Sequence, residues 1–174
     1  MSVVLTFEDY EKLKKFQVDL KKCLNKVLDN FPEFSHAEFC TIINLLEDTI
    51  FAATYSVHPT GVITKCTTYC GNGGLRTLYD DDRKEGAWAH EFCEALHLAK
   101  KSREAFHRFE RWYGDNKRGF RLLVEKHADM DAARRGYGHK LVEALRSIKQ
   151  AVQTEEEIIG IESRIKNLEN YLRK

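Results

Sequence analysis

His90, Cys93, Glu94 and His97 are spaced by three, four and seven residues, so a helix would place them on neighbouring positions. Each residue type ligates zinc through an imidazole nitrogen, a thiolate or a carboxylate. Cys66 and Cys70 could complete the set from outside that helix. One chemistry open to the chain is therefore a zinc-dependent enzyme or a structural zinc protein on His90, Cys93, His97, Cys66 and Cys70. The helical wheel offers another reading. At about 100° per residue, His90, Glu94 and His97 fall opposite Trp88, on a face shared with Lys101 and Arg108. That pattern is the one an ordinary solvated helix surface has. Cys66-x-x-x-Cys70 also departs from the common two-residue zinc spacing.

Glu-x-x-His occurs at Glu33/His36, Glu94/His97 and Glu104/His107. Two such pairs on separate helices hold a di-iron centre in four-helix carboxylate proteins. The first pair straddles an expected helix start. The other two share one helix about 15 Å apart, too far to meet at one metal.

Positive charge is unevenly placed. Residues 100–140 carry twelve Lys and Arg against six Asp and Glu, although the whole chain has a formal net charge of only +1. Arg108, Arg111, Lys117, Arg118, Arg121, Arg134 and Arg135 could neutralise phosphates. Trp112 and Phe120 could stack on bases. The alternative is a charged helix surface, since Phe106, Phe109 and Tyr113 belong to an apolar stripe.

A glycine motif follows, Ala133-Arg134-Arg135-Gly136-Tyr137-Gly138-His139-Lys140-Leu141, leading into a helix. Through Gly136 and Gly138 it resembles the pyrophosphate-binding turn of the GNAT acetyltransferases. The resemblance implies backbone amides at a helix N-terminus cradling acyl-coenzyme A. Ala133 stands where that family carries a basic residue or Gln. Gly71-Asn72-Gly73-Gly74 lacks the lysine of a phosphate-binding loop and reads as a hairpin turn.

The elements that must position these residues follow from periodicity. Thr6 and Asp9 resemble a capping box ahead of a helix whose core face is Tyr10, Leu13, Phe16, Leu20, Leu24, Val27 and Phe31. Ser35 and Glu38 form a second box, predicting a helix through Phe39, Ile42, Ile43, Leu46 and Ile50, so residues 1–50 read as a helical hairpin. Residues 51–80 read as a three-stranded antiparallel meander, with strands at 52–57, 62–69 and 75–79. A helical half at 86–153 opens with a long helix at about 87–113, bearing Trp88, Phe92, Leu96, Ala99, Phe106, Phe109 and Tyr113 on one face. Gly114-Asp115-Asn116 would stop it. Residues 120–125 suit a helix or a buried strand. Thr154 and Glu157 form another capping box, dividing helices at 139–153 and 155–173. The last helix, within 154–174, spaces Ile158, Ile161, Ile165, Leu168 and Leu172 by three and four. That stripe predicts self-association as a homodimer, or docking on its own domain.

The chain thus reads as a single α+β domain, predominantly helical. At 174 residues with 43% hydrophobic and 32% charged residues, it is large enough to bury a core without staples. No apolar run reaches membrane-spanning length. Five cysteines in irregular positions favour reduced thiols and a cytoplasmic protein. Its expected function is non-catalytic: a binding or regulatory protein acting through a basic helical surface on nucleic acid or an acidic protein partner. Such a role requires no cofactor, zinc being the alternative.

Overall fold

A computed structural model describes residues 7–44, 50–58, 60, 62–100 and 117–174. Helix α1 spans Phe7–Leu28 and buries Phe16, Leu20, Cys23, Leu24 and Val27, the face its three- and four-residue spacing marks. It ends ahead of Pro32, which opens a single 3-10 turn, Pro32–Phe34.

The second helix of the expected hairpin is instead a strand, β1, at Glu38–Asn44. Thr41, Ile42 and Ile43 are consecutive β-branched residues, stiff at χ1 and better accommodated on a pleated surface. Burial alternates accordingly, with Phe39, Thr41 and Ile43 half-buried and Cys40 and Ile42 exposed. Ser35 ends the 3-10 turn, its N–H bonding the Pro32 carbonyl at 3.1 Å, and so caps no helix.

Strands β2 (Ala52–Val57) and β3 (Ile63–Gly71) form where the β-branched and Thr-rich segments predict. The sheet order is β1-β3-β2. β2 pairs antiparallel with β3, with Thr54 opposite Thr67, but β1 pairs parallel, with Phe39 opposite Cys66. The sheet is therefore mixed rather than an antiparallel meander. The expected third strand at 75–79 gives way to a short helix, α2, at Asn72–Thr77. Gly74 meets the Ile50 carbonyl and the Cys70 sulfur, where any Cβ would overlap them.

Helix α3, Asp81–Lys100, starts earlier than Gly86 suggests. Asp80 Oδ1 accepts the Arg83 N–H at 2.8 Å, as an N-cap does. The predicted continuation to residue 113 and its stop at 114–116 lie outside the described residues. Helix α4, Lys117–Ala132, settles residues 120–125 as helix. A kinked turn, Ala133–Tyr137, non-helical at Gly136, joins it to α5, Gly138–Ala151. Helix α6, Glu155–Leu172, is capped as predicted, Thr154 Oγ1 accepting the Glu157 N–H at 3.3 Å.

α3 is the axis of the packing. α1, α4 and α5 lie against it, β2 touches it, and α6 closes over α4 and α5. Phe31, Phe34, Trp88 and Phe92 form the aromatic centre, with Phe34 and Phe92 stacked at 4.4 Å between centroids. Glu85 of α3 ties the flanks, held by Lys26 of α1 at 2.9 Å and by Lys140 of α5. Among the described residues, no helix is long and apolar enough to cross a membrane.

Candidate functional site

Because α3 is wrapped on several sides, His90 is not on a solvated face. It is 7% exposed and lies among charges from two other helices. Glu125 and Asp129, one turn apart on α4, reach it together. His90 Nδ1 is 2.8 Å from Asp129 Oδ1, and Nε2 is 3.0 Å from Glu125 Oε2. Arg164 of α6 completes the group. Its Nε and Nη2 each lie 2.7 Å from a different Asp129 oxygen, and its Nη1 is 2.8 Å from Glu125 Oε2. This is a bidentate fork with a second carboxylate on its remaining edge.

A carboxylate only accepts, so an imidazole facing one at each nitrogen is satisfied as the doubly donating cation. Burial and the nearby Arg164 charge push the His90 proton off. Hydrogen bonds to Asp129 and Glu125 outweigh both and raise its pKa to about 10. Burial likewise pushes the Asp129 carboxyl up, but hydrogen bonds from His90 and Arg164 hold it below its ordinary range. The four groups form two cations and two anions that cancel inside the fold.

Beside them, Tyr55 of β2 donates its hydroxyl to the Glu91 carbonyl at 2.7 Å, and its oxygen lies 3.1 Å from Glu91 Oε2. Burial, reinforced by Glu94 and Glu125, raises the Glu91 carboxyl to about 7. His90, Glu91 and Glu94 place ligand atoms within 4.8 Å of one another, the one such metal-capable group among the described residues. Its histidine, however, already meets a carboxylate at each nitrogen, and Arg164 supplies a cation to Asp129 and Glu125. Ligation of a metal by His90 would require it to release one of those contacts.

Among the described residues, the predicted zinc set does not gather as a group. His97 Nε2 lies 2.8 Å from Asp131 Oδ2. Cys66, Cys70 and Cys93 are buried, and desolvation pushes each thiol up to about 12. Cys70 Sγ donates to the Ile50 carbonyl at 3.3 Å.

The basic residues singled out in the sequence divide. Arg108, Arg111 and Trp112 lie outside the described residues. Lys117, Arg118, Phe120 and Arg121 fall on the first turns of α4. Arg134 is exposed and pairs with Asp131 at 2.6 Å. Arg135 acts as a strut. It bonds Glu33 at 2.6 Å and the Asn30 carbonyl at 2.8 Å, and lies 4.3 Å over the Phe31 ring.

A second basic surface escaped that reading. Residues 12–26 contain six lysines and one acid, Asp19. Lys14, Lys15, Lys21 and Lys22 are exposed on α1 and form no ion pair among the described residues. On a wheel of about 100° per residue, Lys14 and Lys21 line one flank. Lys15, Lys22 and Lys26 line another about 100° away. Exposed Val18 and Asn25 stand between them, opposite the core face. Lysine density was the signal available in the sequence.

At the glycine turn α4 ends at Ala132 and the chain kinks before α5, which opens at Gly138 behind its N-cap Tyr137. Gly136 adopts φ 91°, the left-handed value that turns the chain into α5. At Gly138 an added Cβ would meet Leu172 of α6 at 2.8 Å. The stripe on α6 is likewise used within the chain. Ile161 and Leu168 are buried, and Ile165 and Leu172 pack against the core, leaving Ile158 half-buried. Docking on its own domain accounts for this burial. No family model, curated protein or solved structure matches this chain.

Proposed function

We propose that this is a non-catalytic binding protein that engages a polyanion through a basic helical surface, the lysine face of α1. The observation that carries this reading is the contrast between its two groups of charges. Inside, His90 and Arg164 are matched by Asp129 and Glu125. Outside, Lys14, Lys15, Lys21 and Lys22 project without ion-pair partners among the described residues. Lysines on one face attract phosphates or sulfates as point charges, without demanding a bidentate geometry. The free thiols, Cys23, Cys66, Cys70 and Cys93 buried and Cys40 exposed, suit a reducing compartment.

Heparin is the simplest probe. The full chain should bind it at low salt and release it as salt rises, because counterions are regained. Changing Lys14, Lys15, Lys21 and Lys22 together to Glu should abolish binding while the thermal transition persists. The pair Arg118→Glu and Arg121→Glu tests the start of α4 as the rival surface. Loss of binding through that pair alone would move the function off α1.

A further inference from the structure

We infer that the lysine face of α1 is a docking surface for B-form DNA, with α1 lying along the major groove. This inference rests on the polyanion reading above and narrows it. Lys14 and Lys21 form one rail, and Lys15, Lys22 and Lys26 form the other, with Val18 and Asn25 along the centre line. A helix with its side chains is about 10–12 Å across, and the B-DNA major groove is about 12 Å wide. In that position each rail faces the phosphates of a different strand. Val18 and Asn25 face base edges, where an aliphatic group meets a thymine methyl and an amide matches the adenine edge. From Lys14 to Lys26 the rails run about 18 Å, or roughly five base pairs of duplex at 3.4 Å each. Glu11 and Asp29, both exposed, bound the face at either end.

Competing polyanions fit less well. A single strand is held by stacking as well as charge. Between Glu11 and Asp29 the centre line of this face has no ring, and Tyr10 is exposed one turn before Lys14. The major groove of A-form RNA is too deep and narrow to admit a helix. A membrane surface takes a helix whose apolar face can sink into it. The apolar face of α1, from Phe16 to Val27, is already buried in the domain core. Lys26 is the one rail member engaged elsewhere, through Glu85, so four lysines are available for phosphate contact.

The test measures fluorescence anisotropy of the full chain with a mixed-sequence DNA duplex, the matching RNA duplex, single-stranded DNA, heparin and anionic vesicles. Duplex DNA should be bound at least about tenfold more tightly than single-stranded DNA or RNA duplex. The slope of log K against log salt should be about −3 to −4 for four phosphate contacts. K21E/K22E should reduce duplex affinity by more than tenfold, and K21R/K22R should retain it. K14Q/K22Q, taking one lysine from each rail, should weaken binding and flatten the slope by about two. Equal binding of all the polyanions, lost in K21E/K22E, would overturn the duplex assignment and leave the polyanion surface intact. Tighter binding of RNA, single strands or vesicles would also overturn it. Binding to none of these probes at low salt would overturn both readings, as would duplex binding untouched by K21E/K22E and K14Q/K22Q.

Discussion

Asp129→Asn is the sharpest perturbation of the interior, because it keeps the volume and removes the charge. Three charge-assisted contacts end on Asp129: from His90 Nδ1 at 2.8 Å and from Arg164 Nε and Nη2 at 2.7 Å each. Such bonds contribute about 1.5–3 kcal/mol each, but desolvating the carboxylate opposes them by several kcal/mol, so their sum is not the answer. The decisive quantity is what remains. With Asn at this position, one oxygen becomes an NH2 facing donors, and two buried cations share Glu125 alone. Breaking a buried pair in this way costs about 3–5 kcal/mol. For a chain of this size that lowers the melting temperature by roughly 6–20 °C. Urea unfolding at neutral pH measures it directly. Combining Asp129→Asn with Arg164→Gln should cost less than the sum of the two single changes by more than about 1 kcal/mol, since each removes the other's partner. Asp129→Asn within about 0.5 kcal/mol of the parent, or strict additivity, would refute the network as a coupled unit.

Two further outcomes follow from the same interior. Glu91 has its carboxyl raised to about 7 by burial, with Glu94 and Glu125 adding to it, so the fold prefers the protonated form. The stability this contributes is complete below the unfolded value of about 4.5 and is lost as pH rises through about 7. Glu91→Gln should therefore exceed the parent by about 1–3 kcal/mol near pH 8 and match it near pH 4.5. Denaturation curves showing a less stable variant at the higher pH would overturn this. Phe92 stacks on Phe34 at 4.4 Å and meets Phe31 edge-on at 5.3 Å, so Phe92→Ala should cost about 3–5 kcal/mol. His97→Ala, which loses a partly exposed contact to Asp131, should cost about 1 kcal/mol or less, and equal damage would contradict the packing.

Much of the architecture was legible where local chemistry has one solution. Thr154 and Glu157 identified the start of α6, and the Thr-rich runs identified β2 and β3. β1 was misread because Phe39, Ile42 and Ile43 satisfy helical spacing as well as they suit a strand. Only pairing with β3, more than twenty residues away, decides between them. The glycines at 71–74 suggested a hairpin, yet Gly74 is needed for contact with Ile50, a tertiary event. The chemistry of His90 was hidden for the same reason. Its partners Glu125, Asp129 and Arg164 come from other helices, so no spacing around residue 90 reveals them. Wheel periodicity identifies a single dry face only for a helix lying on a surface, whereas α3 is surrounded, and its polar side is buried against other polar groups.

That burial also explains how α6 finds its place. A stripe of Ile158, Ile161, Ile165, Leu168 and Leu172 is nearly degenerate, since sliding it along α4 and α5 exchanges one aliphatic contact for another. Arg164 removes the degeneracy. Its fork meets both oxygens of Asp129 in one register, and any slip strands a guanidinium among apolar groups. The same pairing separates two uses of charge. His90 and Arg164 are cancelled within the fold by Asp129 and Glu125, so they contribute little field outside it. What an approaching molecule meets on α1 is the lysine face of Lys14, Lys15, Lys21 and Lys22. A formal charge of +1 therefore understates the local field, because it averages over the whole chain while these four exposed lysines stand together on one face of α1.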